Sequence, residues 1–171
     1  MIKHFESHEN SLYNKILLLS RNKLFYTKFS LNDTFQNRIN LIFIHVSFLF
    51  IKIKQINNAD KYSRFYQKIF NIIFQNIEFN MREIGYGDTG INKNMKLLVT
   101  TLYNILLNCE YYQNNDFNKK NFFLRRYLDI NKNAKNADIA GLVDYFNKYQ
   151  SFCLDLSSVN VLKGDLNFNY K

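Results

Sequence analysis

The sequence predicts an all-α, single-domain bundle of about six helices around one central apolar helix, at about residues 33–56. Three observations carry that reading. Residues 33–56 form the most apolar stretch of the chain and contain no glycine or proline. Proline is absent throughout, and 5 glycines in 171 residues are too few for a sandwich or barrel of short strands. Elsewhere the apolar residues recur at helical spacing. An apolar fraction of 47% with 17% aromatics is ample for one core.

The central stretch, DTFQNRINLIFIHVSFLFIKIKQI, begins at Asp33, an N-cap residue, with Gln36 three positions on as in a capping box. Alternation of Ile44, Val46, Phe48 and Phe50 with His45, Ser47 and Leu49 is strand-like chemistry. Length decides for helix, because 24 unbroken residues exceed an ordinary strand. A helix apolar on all sides needs neighbours on all sides, so His45 reads as a satisfied core histidine.

Residues 1–10 are polar and read as a flexible arm; residues 11–171 read as one helical domain without an internal linker. Ser11 to about Tyr26 is a basic amphipathic helix, which either packs on the core or lies on a membrane surface. A polar turn at Asn57–Asp60 places Asp60 to cap the next helix. That helix runs to about Glu83, with Phe65, Ile69, Ile73 and Ile77 as an inward stripe. Further helices follow at about Asn92–Tyr112, Lys119–Leu128 and Asp138–Phe152. From Ser157 the pattern is irregular and ends in an alternation of Leu166, Phe168 and Tyr170, which reads as an extended tail packed on the bundle.

Between the third and fourth helices lies Gly85-Tyr86-Gly87-Asp88-Thr89-Gly90, spelling G-x-G-x-x-G. A dinucleotide fingerprint requires a strand before its first glycine, and here a helix precedes it. The segment reads instead as punctuation: Gly85 as a left-handed helix end and Asp88 or Thr89 as the next cap. Glu83, close to a helix C-terminus, is unfavourable to the helix dipole, so it is either paired, with Lys93 or Lys96 in reach, or kept for a partner.

Net charge is +9, and residues 1–77 hold 11 Lys/Arg against 4 Asp/Glu. This points either to an anionic partner (a phospholipid surface, RNA or an acidic protein) or to a merely solvated basic surface. Cys109 and Cys153 lie in no metal-ligand spacing and read as buried thiols in a reducing compartment. His4 and His8 have no third ligand near them. The start, MIKHFESHEN, has Glu6 and Glu9 where a secretory leader or mitochondrial presequence would be basic, so neither is expected. The best apolar run, Ile39–Ile51, is 13 residues and interrupted by His45, short of the roughly 18 needed to span a membrane. No nucleophilic set, carboxylate pair or metal cluster stands out, so no enzyme activity and no cofactor are expected. No nucleic-acid signature appears, and DNA is not an expected partner.

Two blocks resemble the ubiquinol–cytochrome c chaperone family. The first is Phe25-Tyr26, Asp33-Thr34-Phe35, Arg38, Leu41 and His45. The second is Met81-Arg82-Glu83-Ile84-Gly85-Tyr86-Gly87-Asp88, followed by Lys93 and Lys96; Leu124-Arg125-Arg126 is a weaker third. The likeness covers roughly residues 20–130 in order and spacing. It departs at Leu102-Tyr103-Asn104-Ile105, where the family pattern has aromatic-Tyr-Gly-Arg. The resemblance implies a non-enzymatic, all-helical assembly chaperone that binds newly made cytochrome b and helps build respiratory complex III. It implies a bacterial homologue, cytoplasmic and peripheral to the inner membrane, or a matrix-side protein of the mitochondrial inner membrane if eukaryotic. Partners implied are an anionic membrane surface, the ribosome and a small assembly factor. The residues it points to are Asp33, Arg38, His45, Arg82, Glu83, Gly85, Gly87 and Asp88. Arg38, Arg82, Glu83 and Asp88 either touch a partner or form one ion-pair network between two helices. The rival reading is a basic RNA- or ribosome-binding module.

Overall fold

The computed structural model describes residues 7–55 and 57–171. It is all-helical among those residues. Helices of eleven residues or more are α1 (His8–Ser20), α3 (Phe35–Lys54), α4 (Ala59–Ile84), α5 (Asp88–Tyr111), α6 (Phe117–Tyr127) and α7 (Asn136–Asp155). Two short helices, α2 (Leu24–Thr27) and α8 (Ser158–Leu162), join them. A lone antiparallel bridge links Leu31 to Ile130. None of the described helices is long and apolar enough to cross a membrane.

Helix α3 is the hub, packed against α1, α4, α5, α7 and α8. Every residue from Ile39 to Phe50 is buried, as its apolar circumference requires. Its N-cap is Thr34, whose hydroxyl accepts from the Asn37 N–H at 3.1 Å. The expected Asp33–Gln36 capping box does not form. Asp33 lies one residue outside and turns to Arg38, while Gln36 donates to Asn40 Oδ1. Ile56, the expected end of this stretch, lies outside the described residues.

The first predicted helix is two. After Ser20 the chain turns through Arg21–Lys23, where the Asn22 side chain accepts from the Leu24 N–H at 3.0 Å; this local bond competes with helix continuation. The turn lets α2 drive Phe25 into the core beside His45 and Tyr145. Helix α1 also starts earlier than expected: Ser7 caps it at Asn10, so residues 8–10 belong to the helix rather than an arm. Residues 1–6 of the expected arm, His4 and Glu6 among them, lie outside the described residues. Helix α4 is capped by Asn58, not Asp60, through the Lys61 N–H.

The C-terminal tail packs as its alternation predicts. Leu166 is buried, Phe168 sits on Tyr145, Tyr149 and Phe152, and Tyr170 covers Phe29 while its hydroxyl donates to Asp144. Cys109 and Cys153 are both buried free thiols, and burial raises both pKa values.

Gly141 on α7 marks the tightest packing. A methyl group there would stand 2.8 Å from Phe29 Cε1 and 3.1 Å from Cδ1. The Phe29 ring is pinned by Phe25, Tyr145 and Tyr170 and cannot swing away. Gly→Ala inside a helix ordinarily stabilises by up to about 1 kcal/mol. Here the clash reverses the sign: Gly141→Ala is expected to destabilise by about 1–2 kcal/mol, read as a Tm drop of about 2–8 °C. An unchanged or higher Tm would show the ring has room.

Candidate functional site

The residues singled out by sequence fall in three places. His45 is inside the bundle. Arg82, Gly85, Gly87 and Asp88 form the turn between α4 and α5. Asp33, Arg38 and Glu83 stand near or on the rim of a groove between α1, α3 and α4.

His45 is fully buried, so it touches no partner in this structure. Its Nδ1 lies 2.6 Å from the Leu41 carbonyl and its Nε2 2.8 Å from the Tyr145 hydroxyl. A carbonyl only accepts, so Nδ1 carries the proton and Nε2 accepts from Tyr145. Tyr149 adds a hydroxyl bond to the His45 carbonyl at 3.2 Å. Phe25, Phe146 and Tyr149 surround the ring. Desolvation lowers the imidazole pKa from 6.5 to about 4. His45 thus ties α3 to α7, and sequence reasoning had no means of pairing it with Tyr145 and Tyr149, 100 and 104 residues away.

The Gly85–Asp88 turn follows from its residue types. Gly85 takes a left-handed conformation, φ 99°. Its N–H and that of Tyr86 bond back to the Arg82 and Met81 carbonyls, each at 3.0 Å, the double closure of a Schellman helix end. Gly87, rather than Asp88 or Thr89, is the N-cap of α5. Asp88 in the first turn suits the helix dipole. Arg82 bridges the turn, its Nη1 2.7 Å from Asp88 Oδ1 and its Nη2 2.9 Å from Glu78 Oε1.

The expected four-residue ion-pair network is two separate clusters. Arg38 forms a two-pronged pair with Asp33, Nε–Oδ1 2.8 Å and Nη2–Oδ2 2.9 Å, which lowers the Asp33 pKa. Arg82 serves Glu78 and Asp88 alone. Glu83 pairs with neither Lys93 nor Lys96 and has no hydrogen-bond or ion-pair partner among the described residues. Spacing explains this: α5 carries Lys93 and Lys96 away beyond the turn, while Glu83 faces α1 and α3.

What the sequence did not reveal is the groove itself. It encloses about 200 Å³ between Tyr13 and Leu17 of α1, Phe35, Ile39 and Ile42 of α3, and Ile77 and Ile84 of α4, with Arg21, Arg38, Asn80 and Glu83 at its edges. On α1, on α4 and in the turn after α4, Leu18, Phe79, Ile84 and Tyr86 are exposed by 73%, 60%, 59% and 43%, Ile84 being also part of the groove lining. One signal was present. Leu18, Phe79 and Ile84 are apolar yet fall off the inward stripes of their helices.

Fold and groove define a class: an all-helical protein whose open feature is an apolar groove with a cationic and an anionic rim. The chain belongs to the ubiquinol–cytochrome c chaperone family, whose profile matches residues 27–168. Its fold is similar to the crystal structure of the Cbp3 homologue from Brucella abortus, at 23% identity and a TM-score of 0.79, covering 95% of this chain and 89% of that one. Comparison with curated proteins gives no match.

Two outcomes follow from this geometry. Burial holds His45 neutral in the fold, while the unfolded chain takes up a proton below about pH 6.5, so stability falls as pH drops from there toward 4. The loss is about 3 kcal/mol, measured by urea unfolding across this range. His45→Gln removes this part of the slope; an unchanged slope would contradict the assignment. At the turn, Gly85→Ala costs about 1 kcal/mol because of its left-handed backbone. Arg82→Ala, whose partners are solvent-exposed, leaves Tm nearly unchanged. A large Tm loss in Arg82→Ala would show that the pair holds α4 and α5 together.

Proposed function

We propose that this protein is an assembly chaperone for the ubiquinol–cytochrome c reductase complex, and that its client is newly made cytochrome b. It acts by binding and release, without chemical conversion of the client. Family membership supports the reading, and so does the groove between α1, α3 and α4. An apolar client segment needs an apolar surface to replace lipid or a neighbouring helix, and the groove lining, with exposed Leu18 on α1 and Ile84 on α4, offers one. Glu83 and Arg21, both on the rim and both without an ion-pair partner among the described residues, are available to polar groups flanking such a segment. Asp33 and Arg38 hold one edge in shape; Gly85 and Gly87 end α4 just beyond Glu83 and Ile84, with Arg82 and Asp88 paired beside that end. His45 acts from inside, keeping α3 in register with α7.

A net charge of +9 suits work at an anionic membrane surface as a peripheral protein, at about 1 kcal/mol for each well-placed Lys or Arg. The test is affinity purification of the tagged protein from its own membranes in mild detergent. Cytochrome b is expected among the recovered proteins. Ile84→Asp and Leu18→Asp, both on exposed side chains, are expected to lower its recovery about tenfold or more with little change in Tm. Recovery of ribosomal proteins and RNA without cytochrome b would replace this reading by the basic-module one.

A further inference from the structure

Helix α6 ends on Arg125 and Arg126. The helix dipole favours cations in a last turn, but it does not account for their surroundings. Both line an open cleft of about 510 Å³ between the start of α3, the middle of α5 and the end of α6, together with Gln36, Asn40, Leu97 and Thr101. The cleft wall is fixed by buried amides. Asn40 donates to the Tyr127 carbonyl, and Asn37 donates to the Asp129 carbonyl at 2.8 Å while accepting the Asp129 N–H at 2.7 Å. The backbone just after the two arginines is therefore bolted to α3.

Their charges are uncompensated. Arg125 Nε donates to Asn121 Oδ1 at 3.0 Å, and its Nη groups have no acceptor among the described residues. Arg126 stacks over the Tyr127 ring, 5.7 Å from its centroid, and likewise has no acceptor there. Arg38 and Arg82, in contrast, are both engaged by carboxylates. Asp129 also lines the cleft, but its carboxylate accepts from the Asn32 side chain at 2.9 Å and forms no ion pair with either arginine.

We infer that this cleft binds a phosphate group, held by the free guanidinium donors of Arg125 and Arg126. Two guanidinium forks lining one cleft offer more donors than one carboxylate has oxygens, and a phosphate accepts from such forks in bidentate fashion. Leu97, 63% exposed at the lip, offers an apolar contact to whatever carries the phosphate. Such a group is either a free phosphate or the headgroup of an anionic phospholipid.

The experiment has two arms on the full chain. One follows the Arg125 and Arg126 side-chain NMR signals as inorganic phosphate is added. The other measures co-sedimentation with phosphatidylglycerol vesicles against phosphatidylcholine vesicles. Binding in at least one arm is expected, with Arg125→Gln/Arg126→Gln weakening it about tenfold or more. Lys61→Gln/Arg64→Gln, which removes the same charge from the start of α4, should change it by no more than about twofold. A response to free phosphate identifies a soluble phosphate ligand; a response to phosphatidylglycerol vesicles alone identifies the headgroup. No binding in either arm, or an equal loss in both double variants, overturns the inference. Both pairs are exposed, and retention of Tm confirms that each variant folds.

Discussion

From Ile39 to Phe50 every residue of α3 is buried. A helix with no wet side cannot choose one face for its polar groups, so a polar side chain on it is either met from within the protein or left unmet, as Ser47 Oγ is among the described residues. Asn40 is met by the Tyr127 carbonyl and His45 by Leu41 and Tyr145. These bonds run to the end of α6 and to α7, elements far along the chain. The apolar surface sets how tightly the helices close around α3, and the few polar groups set in which register they close. Packing supplies most of the stability in such a core, whereas satisfied buried polar groups select one arrangement among similarly packed ones.

The same constraint shapes the surface. With α3 fully covered, whatever the protein offers a partner must come from the seams between the outer helices. The groove is such a seam, where α1 and α4 part enough to leave Phe35, Ile39 and Ile42 at its floor. The cleft beside Arg125 and Arg126 is another, where α5 and α6 part over the start of α3. One has two charged rims, Arg21 and Arg38 against Glu83; the other combines leucine side chains with the cationic pair Arg125 and Arg126. The two lie on different sets of helices and suit different chemistry.

Much of the fold was legible in the sequence because long apolar periodicities and sparse turn residues leave few alternatives to helices. The apolar part of the central stretch, the stripe of α4 and the alternating tail all packed as their spacing predicts. Local choices were less legible. Asp33 and Thr34 are both good caps, and only the pull of Arg38 on Asp33 decides between them. Nothing in a helical pattern through residues 11–26 announces that Asn22 will bond Leu24 and break it. At the candidate site, Gly85 could be read directly, because a left-handed helix end requires its residue type. The groove could not, since it exists only where three separate helices meet. Glu83 was legible as an oddity at a helix C-terminus; that it has no ion-pair partner among the described residues emerged only once α4 and α5 were set at their angle.

The central claim is that the groove between α1, α3 and α4 is where the client rests. A photo-crosslinking residue placed at position 84, on the groove, and separately at position 122, on α6 outside it, tests this most directly during synthesis of cytochrome b. The account predicts a crosslink to cytochrome b from position 84 and none from position 122. Crosslinks from position 122 alone would contradict it and move the client to the α5–α6 side.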